Sequence, residues 1–452
     1  MKLNRKYERG QALILIVLAI FGMIGLVALA IDAGNNFSNR RSAQNAADTA
    51  ALAGALTCAQ AVPPQPSCNP PTSPTLIDQV RAIALARADS NKFINVINGD
   101  GTFITVTVYT MDNPLAVGCD PANPIPDPSD PSDLEDSAAN YILVTIQTRI
   151  KPYFAQVVGI PYLDNCVEAI AHAKPGSLEP LYVGNGIVGL KPDGCRVVNI
   201  SGNALLELTG GGIYENSNEN CGMTIGGNPT VLIDPGAISM VSGLPGPGNP
   251  TINGNPTLSI AGGINGGVPP LTYPPPSWML PQITCGPESV PNGHIMGPGS
   301  YTGHASFPPG AVDTLQSGVY CIYGEFRLNN NATLTGNGVT IVMMNGSITW
   351  NGGAQVNLTA PTIDPFKGLL IYAPMTNSNT MTINGNSLSH LQGTIFTPAA
   401  PISYNGTGSI PASNLSIIGY TVYLGGNNTT IINYDAGTSW KAPIPPEVAL
   451  SR

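Results

Sequence analysis

Charge is scarce in this chain of 452 residues, where Asp, Glu, Lys and Arg together make up only 10%. That scarcity excludes a disordered polyelectrolyte, which stays expanded through its charge. Cations are the rarer sign, 18 Lys and Arg against 27 Asp and Glu, and beyond residue 41 they are scattered. A nucleic-acid interface needs a clustered basic footprint, so none is expected from a net charge of −9. No C-x-x-C occurs among the eight cysteines, which leaves zinc-ribbon and thioredoxin chemistry unsupported. G-x-S-x-G and the P-loop are also missing, so neither a hydrolase elbow nor a nucleotide cradle is expected. Glycine (52) and proline (43) are plentiful instead, a composition that suits turn-rich β structure.

The chain also has one long apolar run. From Ala12 to Ile31, twenty consecutive residues carry no charge. As a helix this run is about 30 Å long, the thickness of a bilayer's hydrocarbon core. A secretory apolar region is typically ~7–15 residues and ends in a small-x-small cut. Here Asp32, Asn35, Asn36, Arg40 and Arg41 follow instead, so a retained anchor is expected, with Ala12, Leu18, Phe21, Leu26 and Ile31 along it. Lys2, Arg5, Lys6 and Arg9 stand ahead of the run against Glu8 alone. The positive-inside rule then predicts a single pass through the inner or cytoplasmic membrane, with the N-terminus cytoplasmic and the bulk of the chain outside. Alanine is the best helix former, so the helix is expected to continue to about Ala59 as a solvated stalk or a partner for a neighbouring helix.

Arg9-Gly10-Gln11-Ala12, Ala30-Ile31-Asp32-Ala33-Gly34 and "RRSAQNAADTAALAGA" resemble the N-terminal module of TadG-like proteins. Those are membrane-anchored components encoded with tight-adherence (Tad, or Flp-type) pilus machinery. The likeness covers residues 1–56 and extends to about 175, where "VRAIALARA", "FITVTVYT", "YILVTIQTRIKPYFAQVVGI" and "CVEAIAHAKP" are similar to the small domain that usually follows. It implies a role in pilus assembly or adhesion, with pilus components or surface polymers as partners. Gly10 before Gln11-Ala12-Leu13-Ile14 also resembles a prepilin or TadE-like site, where cleavage follows glycine. Such sequences need glutamate at the fifth position after the cut, and Leu15 stands there, so an uncut N-terminus is expected.

Beyond residue 60, "AVPPQPSCNPPTSPT" predicts a proline-rich linker over 61–74. A small α+β domain is expected over 75–175. It opens with an amphipathic helix whose apolar face carries Leu76, Val80 and Ile83. A hairpin around Asn98-Gly99, a strand in "NYILVTIQTRI", a short helix near 153–159 and a strand in "NCVEAIAHA" complete it. Asp112, Asp120, Asp127, Asp130, Asp133, Glu135 and Asp136 crowd one loop, without the D-x-D-x-D-G spacing of a calcium site. That loop is expected to be solvated. In an exported region disulfides are the default. Pairing neighbours joins Cys58 to Cys68, Cys119 to Cys166, Cys195 to Cys221 and Cys285 to Cys321, although spacing alone does not choose this connectivity.

From about residue 180 one phrase recurs. "ISGNALLEL" at Ile200, "IGGNPTVLI" at Ile225, "INGNPTLSI" at Ile252 and "INGNSLSHL" at Ile383 each join an apolar residue, a Gly/Asn corner and a short alternating strand. Weaker copies begin at Leu334, Trp350 and Tyr404. The first three start 25 and 27 residues apart, close to one coil of a parallel β-helix. An all-β solenoid of about ten coils over 180–440 is expected, with the Pro-rich stretch 269–289 leaving it as a loop; a β-sandwich with similar turns is the alternative. Residues 176–452 hold only twelve carboxylates, no two closer than four residues, whereas glycoside hydrolysis needs two at a fixed separation. Polygalacturonase-like signatures are limited to Arg149-Ile150-Lys151, which precedes the solenoid and reads as a strand end. His294 and His304 lack a third ligand. Tyr404 and Tyr423 are candidates for exposed aromatic contacts. The sequence thus points to a non-enzymatic, membrane-anchored envelope protein without metal or cofactor. The solenoid would be a binding or structural module; the alternative is an anchored β-helix polysaccharide lyase or hydrolase.

Overall fold

The computed structural model describes residues 9–60, 74–95, 102–110, 118–119, 140–174, 176–203, 205–244, 246–303, 305–307, 310–385, 388–406, 413–426 and 429–451. The Pro-rich segment 61–73, the Asn98-Gly99 turn, the acidic residues 112–136, Cys68 and His304 lie outside these. The chain divides into two compact units, residues 178–444 and a unit that joins 1–177 to 445–452.

In the first unit, helix α1 (Arg9–Ala59) is continuous from the apolar run to the end of the Ala-rich stretch. The outer half of α1 is no stalk. Ala43, Ala46, Ala47, Ala50, Ala51 and Ala55 are buried against α2 (Pro74–Ser90) and a four-stranded antiparallel sheet. Small side chains on this stripe let the backbones approach closely. A methyl group at Gly54 would lie 3.2 Å from Ile142 and 3.3 Å from Val80. Helix α2 turns Leu76, Ile77, Val80, Ala84 and Ala88 inward, whereas Ile83, expected on that face, is exposed. Its buried stripe steps by three or four residues, and Ile83 falls off it.

The sheet runs β1 (Thr102–Thr110), β2 (Asn140–Ile150), β3 (Leu163–Lys174) and then a C-terminal strand, Glu447–Leu450. The fourth partner of this sheet therefore comes from the far end of the chain, and the solenoid is inserted between it and β3. Asn39 accepts a hydrogen bond from Thr148 at 2.8 Å, and Gln44 donates to the Glu168 carbonyl at 2.8 Å. These contacts hold α1 to the sheet between about two and four turns beyond the apolar run.

The second unit is a parallel β-solenoid. Among the described residues one face stacks nine strands, one per coil, against the ten expected. In space they follow the order Ala305–Phe307, Phe326–Leu328, Ile348–Trp350, Met381–Gly385, Ile402–Gly406, Val422–Gly426, Val198–Gly202, Met223–Gly227 and Thr251–Gly254. The chain therefore enters the stack at its middle. It winds three coils to one end, crosses to the other end and winds six coils back. The last coil docks on the first, with Val422–Gly426 parallel to Val198–Gly202 and Ser413–Gly419 parallel to Asn185–Gly189.

The repeated phrase explains the stacking. Its leading apolar residues form one ladder in register, Trp350–Ile383–Tyr404–Leu424–Ile200–Ile225–Ile252, buried from Trp350 to Ile225 and exposed at Ile252 on the end strand. Tyr404 is thereby buried, not an exposed aromatic, and Tyr423 is half-buried. The copy at Leu334 sits on a different face, paired with Asp313 and Val356. On a second face eight isoleucines stack as Ile341–Ile371–Ile395–Ile417–Ile187–Ile213–Ile238–Ile264. At the corners Gly202 and Gly227 have φ of +122° and +82°, and a methyl on Gly227 would come within 2.3 Å of the Gly202 carbonyl. Only glycine fits that close approach. Asn203 and Asn228 carry the corner forward, each accepting the N–H of the equivalent asparagine one coil on, at 3.3 and 3.1 Å.

The Pro-rich stretch is a strap rather than an outward loop. It crosses the outer side of the isoleucine face, where Tyr214, Val188, Ile418, Phe396, Tyr372 and Val342 form a second apolar ladder. Leu271 exchanges hydrogen bonds with the Asn216 side chain at 2.7 and 3.1 Å, and Tyr273 packs 5.4 Å from Tyr420. Cys285 then bonds to Cys321, two coils from the far end. Proline suits this path because a strap running across strands has no ladder to donate to.

Candidate functional site

Leu18, Phe21, Leu26 and Ile31 are exposed on α1, and Ala12 lies in the same helix. The apolar part of α1 has a mean hydropathy of 3.1 over eighteen residues, none of it buried within the protein. A helix apolar all round with no protein against it is built for lipid. At its end the side chain of Asp32 is buried and accepts the N–H groups of Tyr153, Phe154 and Ala155 at 2.7, 3.0 and 2.7 Å. Those bonds hold the short 3-10 turn Ala155–Val158 beside the last residue of the apolar run.

Among the described residues three disulfides join Cys119 to Cys166, Cys195 to Cys221 and Cys285 to Cys321. Cys58 is also disulfide-bonded. The first ties the chain after β1 to β3, the second closes the entry coil onto the next, and the third fixes the strap.

Several of the solenoid's carboxylates serve local structure. Glu325 pairs with Arg327 at 2.9 Å, and Asp435 accepts the Gly437 N–H at 2.8 Å. Two others are buried. Glu215 is wholly inside, where its Oε1 accepts the Ser217 N–H at 2.5 Å and its Oε2 has no partner among the described residues. Burial pushes this carboxyl up to about 8, against the opposing pull of the Ser217 N–H. Asp313 occupies an inward position in register with Leu334 and meets His294 at 3.1 Å. Its Oδ2 is buried without a partner among the described residues. It lines a cavity of about 390 Å³ at the far end of the stack, with Glu288, His294, Tyr301 and Thr302. The Glu288 carboxylate already accepts the Thr302 hydroxyl at 2.7 Å, and the Tyr301 hydroxyl donates to the Gly297 carbonyl at 2.6 Å. This geometry can hold a small polar group, and the hydroxyl residues Ser289 and Ser306 line the cavity as well. No cluster of three or more metal-ligating side chains occurs among the described residues. Sequence reasoning missed Asp313 and Glu215 as buried acids, since nothing in their local sequence marks a charged residue at an inward position.

One apolar, lipid-facing helix that continues without a break into a folded domain, with a β-solenoid carried in the same chain, fits a membrane-anchored protein. Residues 10–60 match a family model described as putative Flp pilus-assembly TadE/G-like, which spans the apolar run and the alanine stripe. No curated protein and no solved structure matches the chain.

Proposed function

We propose that this protein is a membrane-anchored component of a Tad (Flp-type) pilus system, acting in pilus assembly or surface adhesion. The N-terminus is cytoplasmic, and the small domain and solenoid lie outside the inner or cytoplasmic membrane. The match of residues 10–60 to the TadE/G-like family carries the reading, because it falls on the anchor and on the helix that becomes the domain's core. The four basic residues ahead of the span support the orientation.

The solenoid is a non-enzymatic binding or structural module that engages pilus components or surface polymers. What supports this is the use of its acids: Glu215 is neutral and enclosed, while Glu325 and Asp435 satisfy local partners. The test is genetic. In a cell that carries a Tad pilus, loss of the gene should impair surface attachment. The full chain should restore it, and a chain lacking 178–444 should not. Unchanged piliation and attachment in the null strain would refute the assignment. Depolymerisation of an acidic polysaccharide, lost on Asp313→Asn, would refute the non-enzymatic part.

A further inference from the structure

We propose that the loop 151–162 is a second membrane contact, a foot that lies in the interfacial layer of the bilayer spanned by α1. The sequence there, KPYFAQVVGIPY, is among the most apolar exposed stretches of the first unit. Val157 is 87% exposed, Val158 77% and Tyr153 70%, with Phe154 and Ile160 also exposed. Five apolar side chains within eight residues make a contiguous patch, which a soluble surface rarely leaves uncovered.

Where the patch sits identifies what covers it. Asp32 follows directly on Ile31, the last residue of the apolar run, so its backbone marks the edge of the hydrocarbon layer. Its carboxylate binds the N–H groups at 153–155 within 3.0 Å, which fixes the loop at that same level. The foot is thus continuous with the anchor rather than a remote surface. Its composition also suits an interface. Tyr153 and Phe154 resemble the aromatic belt of membrane proteins, and apolar side chains seated there enter ~5–10 Å below the headgroups. Lys151 lies 5.6 Å from the Tyr162 ring at the loop's margin, where an ammonium can reach lipid phosphate while its stem stays on apolar surface. An Asp32 that used its carboxylate only to end an anchor would have stayed in water; here it is turned inward to hold the loop.

The inference rests on α1 being a membrane span, and the experiment separates the two. The full chain is placed in vesicles of phosphatidylethanolamine and phosphatidylglycerol with the photocrosslinker benzoylphenylalanine at one position at a time. Position 18 reports the anchor, 157 and 158 report the foot, and 244, on an exposed solenoid residue, reports background. Lipid adducts are expected at 18 and at 157 or 158, with at least a tenfold lower yield at 244. Lipid adducts at 18 alone, or foot adducts only to another protein or a second copy of this chain, would overturn the foot and leave the anchor standing. Absence of lipid adducts at both 18 and the foot would overturn both. Equal yields at 157, 158 and 244 would also overturn the foot, as collision rather than placement.

Discussion

Glu215 lets a single proton report on the solenoid. The residue ends the strand Gly212–Glu215 inside the unit, within the loop that the Cys195–Cys221 disulfide closes and beside Ser217 and Gly222. Burial holds its carboxyl near 8 in the folded chain, against 4.5 for the free side chain. The sign follows from comparing the two states. Below pH 4.5 both hold the proton and the site is neutral in its effect on stability. As pH rises further the unfolded chain ionises first, so stability falls by about 1.4 kcal/mol per pH unit until the folded carboxyl also ionises near 8. At pH 7 the accumulated loss is on the order of 3 kcal/mol. Glu215→Gln keeps the shape and removes the titration. Its stability relative to the parent should therefore rise by that amount between pH 4.5 and pH 7, whatever constant offset the amide brings. In melting temperature this is roughly 6–12 °C for a unit of this size. Trp278, Trp350 and Trp440 all lie in the solenoid, so intrinsic fluorescence follows its unfolding alone. A difference between variant and parent that does not change with pH would refute the reasoning, and so would a Gln variant whose advantage shrinks as pH rises.

Gly227→Ala should cost ~2 kcal/mol or more by denaturant titration, because φ is +82° and the new methyl meets a carbonyl at 2.3 Å. Gly226→Ala, whose methyl has its nearest contact at 3.5 Å, should cost under ~1 kcal/mol, and equal losses at the two sites would count against the corner argument. Removing both Cys285 and Cys321 opens a closure of 36 residues; chain entropy predicts a loss of about 4 kcal/mol and new protease cuts between 269 and 289. An uncut strap in that double variant would show that its packing suffices. Protease added to spheroplasts should remove the solenoid and leave a short anchored stub, whereas full protection of residues beyond 60 would reverse the orientation. N-terminal sequencing of the membrane-bound protein should find residues ahead of Gly10; a start at Gln11 would mean that Leu15 does not prevent processing.

The anchor was legible because a bilayer imposes one length and one chemistry, and Ala12–Ile31 meets both. The solenoid was legible because its corners need glycine at positive φ, and the phrase that carries those glycines recurs. The alanine stripe was read as helix but not as core. A stripe of methyl groups has little hydrophobic signal, and its burial depends on a sheet whose last strand, Glu447–Leu450, is nearly four hundred residues away. The foot was hidden for a related reason: "KPYFAQVVGIPY" looks like any apolar connection until the Asp32 bonds place it beside the span.

Coil order is the deepest omission, and its cause is general. Each coil offers the next the same ladder of apolar residues and the same glycine corner, so Gly202 can accept a neighbour from residue 227 or from residue 426. Similar repeats specify that coils stack, not which one lies beneath which. What breaks the degeneracy is the strap. Stretches such as VTIVM and LLIY are buried on both sides, unlike the alternating strands on the other faces. A strand buried on both sides reads as an unbroken apolar run, so these demand a cover that single coils cannot supply. The proline-rich segment 269–289 lies across them through Leu271, Tyr273, Met279 and Leu280, and covering them requires it to traverse the stack, which delivers the chain to the opposite end. The reversed order of coils is therefore the consequence of satisfying the outer face. The junction between Val422–Gly426 and Val198–Gly202 is where that reversal closes, joining in regular parallel register two coils that are not neighbours along the chain.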